Sequence, residues 1–84
     1  MNREEILQAA IDLTKGDRNE AHGDPAENHD RIAKIWSVQL GFEINGAQVA
    51  LMMAGMKLAR LAYKYSDDSF IDAAAYIAIA GEIR

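Results

Sequence analysis

The chain has no cysteine and a single proline, Pro25. No disulfide can staple the fold, although 84 residues lie near the size at which a single core needs staples or oligomerisation. Aromatic residues amount to 7% of the chain, so burial must come from many small and flexible side chains rather than from a few large rings. Basic residues are in deficit, nine Lys and Arg against thirteen Asp and Glu, for a formal charge of −4. That balance argues against broad nucleic-acid binding, which relies on neutralising many phosphates. Long apolar runs are missing as well. Asp72, or Lys57 with Arg60, interrupts each one before it reaches the length that a bilayer requires, which argues against a membrane span. Without cysteine, and without a basic-then-apolar leader at its start, the sequence reads as a cytoplasmic protein.

What the sequence does contain is alanine, together with helix start and stop signals. Asn2 followed by Glu5 has the spacing of a capping box, and Glu4 and Glu5 suit the positive end of a helix dipole. A first helix with Ile6, Leu7, Ala10 and Leu13 on its apolar face would stop at Gly16. The polar stretch from Gly16 to Asp24 reads as a loop. Asp24 then caps a second helix with Pro25 in its first position. Ile32, Ile35, Trp36 and Leu40 recur at helical spacing along it, and Gly41 ends it.

Asn45 with Gln48 repeats the capping pattern and opens a third helix that runs through about Tyr63. Its apolar residues fall on two opposite sides, Val49, Met52, Met53, Met56 and Ala59 against Leu51, Leu58 and Ala62, which predicts a helix with two buried faces. After a short turn at Tyr65 to Asp67, a last helix from about Asp68 to Ile83 has apolar residues all round its axis. The short turn makes these two helices an antiparallel hairpin at the centre of the fold.

Charges on helices that lack a solvated face must be paired or must hold a ligand, because an unpaired buried ion is very costly. Lys57, Arg60 and Lys64 on the third helix, with Asp68, Asp72 and Tyr76 on the fourth, form such a constellation. Arg60 and Asp72 each lie about four residues, roughly 6 Å at 1.5 Å per residue, from the turn, so they are expected at one level. Asp68, Asp72 and Tyr76 follow at i, i+4 and i+8 and share a face beside Ser69. One reading is a structural ion-pair network that fixes the register of the hairpin. The other is a nucleotide or phosphate site, with Lys57 and Arg60 on phosphate oxygens and Asp68 and Asp72 on a divalent cation such as magnesium.

Elsewhere the chemistry is sparser. Glu27 and Asp30 sit at i, i+3, a spacing that bundle proteins use for metal sites but that solvated helix faces also carry. His22 and His29 have no third His or Cys at ligand spacing, which argues against a zinc site. His22 reads as a loop side chain. Met52, Met53 and Met56 read as core filling, and Trp36 as a core or interface anchor. No serine or cysteine nucleophile stands out, and Gly23-Asp24-Pro25 is a helix start rather than a phosphate loop.

Several of these residues carry a resemblance. Arg18, Gly23-Asp24-Pro25, Glu27-Asn28, Arg31-Ile32-Ala33, Trp36, Leu40-Gly41, Val49 to Met53, Lys57, Ala59-Arg60, Asp68-Ser69, Asp72 and Tyr76 resemble a family of small phage and prophage proteins of unknown function. Members commonly have Tyr where this chain has His22. More distantly, the pattern of Lys57, Arg60, Asp68-Ser69, Asp72 and Tyr76 is similar to the nucleotide-modification-associated helical domain of phages and to MazG-type nucleotide pyrophosphohydrolases. Those enzymes bind magnesium through Glu-Glu-x-x-Glu and Glu-x-x-Asp segments. Here Glu4-Glu5-Ile6-Leu7-Gln8 lacks the last acid. The second segment is matched by Glu27-Asn28-His29-Asp30, or by Ser69-Phe70-Ile71-Asp72 with Ser69 in place of the acid.

The expectation is a single all-α domain over residues 1–84, a MazG-like bundle of about four helices that self-associates as a twofold dimer. Its function is expected to be nucleotide binding, or pyrophosphohydrolysis with magnesium. The alternative is a non-catalytic interaction protein whose Met-rich or Trp36-bearing surface binds a host or phage protein.

Overall fold

A computed structural model of the chain describes residues 1–15 and 23–84. Among the described residues it contains four helices and no strand: α1 (Arg3–Leu13), α2 (Pro25–Leu40), α3 (Gly46–Tyr63) and α4 (Asp67–Ile83). The capping signals act as read. Asn2 and Glu5 satisfy one another's backbone amides at 2.8 and 2.9 Å, and Asn45 and Gln48 do the same at 2.9 and 2.8 Å. Asp24 accepts from the Glu27 amide at 3.2 Å with Pro25 in the first turn. Gly41 closes α2 at φ +82°, a left-handed conformation that glycine enters without a Cβ penalty. At α4 the cap is Ser66, whose hydroxyl accepts from the Ser69 amide, so the helix starts one residue earlier than expected. The expected stop of α1 at Gly16 lies outside the described residues, and the helix ends at Leu13.

The α3/α4 hairpin has the most extensive packing, with α2 against α3 and α1 against α4. At Gly46 the backbone of α2 comes so near that a Cβ would stand 3.4 Å from Asp30 N and from the His29 carbonyl carbon. Ser37 fastens the connection between the two helices, its hydroxyl exchanging hydrogen bonds with the backbone of Ile44. The result is flattened, 40 × 31 × 20 Å, with a radius of gyration of 13.3 Å against about 12 Å for a compact chain of this length.

The core is built almost wholly from alanine: Ala10, Ala33, Ala50, Ala54, Ala73, Ala75 and Ala80 with Val49 and Leu61. This corrects the expectation of two buried faces on α3. Leu51, Leu58 and Ala62 are exposed, and so are Met52, Met56 and Ala59, because the neighbouring helices cover only one arc of α3. Met52 and Met56 therefore fill no core in this chain, whereas Met53 is half-buried. Leu7, Ile35 and Leu40 are likewise exposed rather than internal, and α2 turns His29 and Ala33 inward with Ile32 and Trp36 half-buried. None of the described helices is long and apolar enough to cross a membrane.

Candidate functional site

Four elements meet around a cleft of about 310 Å³. Asp72 and Tyr76 lie one turn apart on α4, Lys57 comes from α3, and Asn28 and His29 come from α2. Leu13, Ala75 and Ile79 supply apolar walls. Lys57 Nζ stands 3.0 Å from Asp72 Oδ2, with 13% of the Lys57 side chain and 31% of the Asp72 side chain exposed. The pair is charge-assisted and partly withdrawn from water, where such contacts are stronger than at an open surface.

His29 is the buried histidine of the cleft. Its Nδ1 lies 2.7 Å from the carbonyl oxygen of Pro25. A carbonyl only accepts, so Nδ1 carries the proton and Nε2 is left for other partners. The His29 ring stands edge-on to Tyr76, with centroids 6.1 Å apart and planes at 72°, an arrangement that the aromatic quadrupoles favour. No hydrogen bond of Nε2 or of the Tyr76 hydroxyl occurs among the described residues.

Of the residues singled out from the sequence, the fold brings Lys57, Asp72 and Tyr76 together. Arg60 is not the partner of Asp72. It is exposed, lines a shallow depression with Met56, Tyr63 and Lys64, and forms no ion pair among the described residues. The cause is azimuth. Leu61 marks the arc of α3 that is buried, and at 100° per residue Lys57 lies about 40° from it whereas Arg60 lies about 100° away. Asp68 is exposed in the first turn of α4, one helical turn before Asp72, and does not line the cleft.

Glu27 and Asp30 are exposed beside a second depression that includes Asn45 and Arg84. The described residues contain no group of three or more His, Asp or Glu positioned to hold a metal ion. His22 and Arg18 lie outside them. His29 is the site residue that the sequence reading passed over. Its signal was positional, since His29, Ala33 and Trp36 at i, i+4 and i+7 mark the inward stripe of α2.

The chain is 37% identical over 81 residues to the Gene 55 protein of Mycobacterium phage L5, a match covering 94% of this chain and 52% of that protein. It is 43% identical over 74 residues to the Gene 55 protein of Mycobacterium phage D29, covering 87% and 49% respectively. The chain thus spans about half the length of the curated relatives it matches. No solved structure matches it significantly. The expected kinship with phage proteins of unknown function is met by these relatives. Residues 5–84 match the family described as Domain of unknown function (DUF6378), and the chain belongs to that family.

Proposed function

We propose that the cleft between α2, α3 and α4 binds a nucleotide. The observation that carries this reading is the half-buried Lys57–Asp72 pair opening onto the same cleft as the His29–Tyr76 aromatic pair. Lys57 keeps two ammonium protons for phosphate oxygens after donating one to Asp72. The other oxygen of Asp72 accepts from a ribose hydroxyl or a base amine. Tyr76 and His29 supply aromatic surface for a heterocycle, and the Asn28 amide both donates and accepts. At about 310 Å³ the cleft lies at the lower end of the range for small-molecule sites.

A MazG-like pyrophosphohydrolase version also needs magnesium. Asp72, with Asp68 one turn before it, would hold the ion; such sites use one or two carboxylates and complete the shell with water and phosphate oxygens. Asp72 would then offer the ion its Oδ1 while Oδ2 stays on Lys57. Plain binding needs no ion and rests on the residues that line the cleft. The hydrolytic version adds to it one group, a metal that polarises phosphate and activates water.

The test is a thermal-shift series with nucleoside mono-, di- and triphosphates, each with and without magnesium, and with inorganic phosphate as reference. A ligand held only by the folded chain raises its melting temperature. The expected result is a nucleotide-dependent rise that Lys57→Met abolishes while helicity is unchanged. A rise present only with magnesium and lost in Asp72→Asn would favour the hydrolytic version. No response to any nucleotide defeats both.

A second reading, a non-catalytic protein that binds a host or phage partner, is supported by the exposed apolar residues at the end of α2. Val38 is 83% exposed and Phe42 63%, beside the half-buried Trp36. Quenching of Trp36 fluorescence by a purified partner, absent in Val38→Asp, would support it.

A further inference from the structure

The face of α3 that points away from the cleft has no partner in the chain. Leu51, Met52, Gly55, Met56, Leu58 and Ala59 are all exposed on it. At 100° per residue they span about 160° of the helix surface around Gly55, and no charged residue falls within that arc. Soluble monomers rarely leave so continuous an apolar face to water.

We infer that this face is the interface with a second copy of the chain, related by a twofold axis passing near Gly55. The first argument is area. The chain exposes 6033 Å², whereas a monomer of its mass is expected to expose about 5,000 Å². The excess of about 1,000 Å² is spread over the whole chain, and Leu51, Met52, Met56 and Leu58, each 41–56% exposed, contribute to it; a standard stable interface takes roughly 800 Å² from each partner.

The second argument is Gly55 itself. It lies inside α3, where glycine is a poor helix former, and a Cβ built on it meets nothing within 4 Å. Gly81 is equally open within α4 but has Glu82 and Arg84 beside it, whereas Gly55 sits within the uncharged apolar arc of α3. Two α3 helices crossing at Gly55 give a reason for glycine there, because the missing side chain lets their backbones approach closely. An antiparallel crossing there sets Leu51 of one copy beside Leu58 of the other on one flank of Gly55, and Met52 beside Ala59 on the opposite flank. Every contact recurs by symmetry, as an isologous interface requires.

The third argument is charge. A face without ions attracts no partner of opposite sign, but it also meets no like-charge repulsion when it is turned against itself. Lys57, two residues beyond Gly55, projects from the opposite side of α3 and pairs there with Asp72. Both clefts consequently remain open in the dimer, so dimerisation and nucleotide binding fail or succeed independently.

Light scattering coupled to size-exclusion chromatography, over a dilution series of the full chain, reads the mass directly. The expected result is twice the chain mass, falling to a single chain mass in Gly55→Glu with an unchanged circular dichroism spectrum. Leu58→Glu, on an exposed position, provides the second disruptive variant should Gly55→Glu lose helicity. Gly55→Cys, the only cysteine in an otherwise cysteine-free chain, is expected to form a disulfide-linked dimer on mild oxidation, whereas Gly81→Cys is not. A wild-type chain that stays monomeric at the highest concentration overturns the inference. A dimer that persists in both glutamate variants overturns it as well.

Discussion

Lys57, not Arg60, is the cation that Asp72 holds, at 3.0 Å across the α3/α4 hairpin. The pair does two things at once. It links the two longest helices, and it places both charges of a donor–acceptor couple on the wall of a cleft. Its partial burial makes the two roles experimentally separable, because removing one partner leaves the other charge short of both water and a counter-ion.

Lys57→Met and Asp72→Leu should each cost about 1–3 kcal/mol, while the double variant should cost clearly less than their sum. The coupling is expected to be about 1 kcal/mol or more for residues in direct contact. Arg60→Met should change stability by no more than about 0.5 kcal/mol and add simply to Asp72→Leu. Urea unfolding at one fixed protein concentration checks all three; an Arg60–Asp72 coupling equal to that of Lys57–Asp72 would contradict the observed pairing.

Tyr76 offers a sharper separation of binding from scaffold. Its ring packs against His29, but its hydroxyl makes no hydrogen bond among the described residues. Tyr76→Phe keeps the ring and should therefore leave stability within about 0.5 kcal/mol. If the hydroxyl serves a ligand, the same change should weaken nucleotide binding by about tenfold, equivalent to about 1.4 kcal/mol. Isothermal titration with the nucleotide that gives the largest thermal shift provides the comparison, and unchanged affinity would remove Tyr76 from the site.

Two glycines should respond to alanine with opposite signs. Gly41 holds φ +82° at the end of α2, so Gly41→Ala should destabilise by about 1–2 kcal/mol. Gly81 lies within α4 with open space where a Cβ would go, so Gly81→Ala should stabilise by up to about 1 kcal/mol. Thermal melts would register both, at about 4–8 °C per kcal/mol in a domain of this size.

The capping boxes are a local test of the same framework. Asn2→Ala and Asn45→Ala each remove a side-chain acceptor for a helix amide, at a cost of about 1 kcal/mol. Amide hydrogen exchange should rise first in the opening turn of the affected helix. An equal loss of protection along the whole helix would mean that the cap governs more than the end.

Helix boundaries were legible because their causes are local. A carboxamide that reaches the amide three residues on, a proline in the first turn and a glycine free to turn left-handed each act within a few residues. At α4 the sequence offers Ser66, Asp67 and Asp68 side by side, all good capping residues, so it leaves the first residue of that helix open. The site was legible in part. Lys57, Asp72 and Tyr76 share a cleft as their spacing implied, but Arg60 was misplaced because counting residues from a turn gives a level along the axis without the azimuth. The place of His29 on the inward stripe of α2 is a signal for burial only; its role in the cleft depends on Pro25 and Tyr76 being placed around it.

By itself the sequence determined that this is an all-helical chain, where its first three helices begin, and that its middle could not be solvated all round. Composition and short-range hydrogen bonding act within one or two turns, so they need no knowledge of neighbours. Tertiary structure alone decided which side of α3 is covered, and hence that Lys57 turns inward while Leu51, Gly55 and Leu58 face outward. That choice depends on where α2 and α4 cross α3, and a crossing is set by the packing of whole helix surfaces rather than by the residues of any one of them.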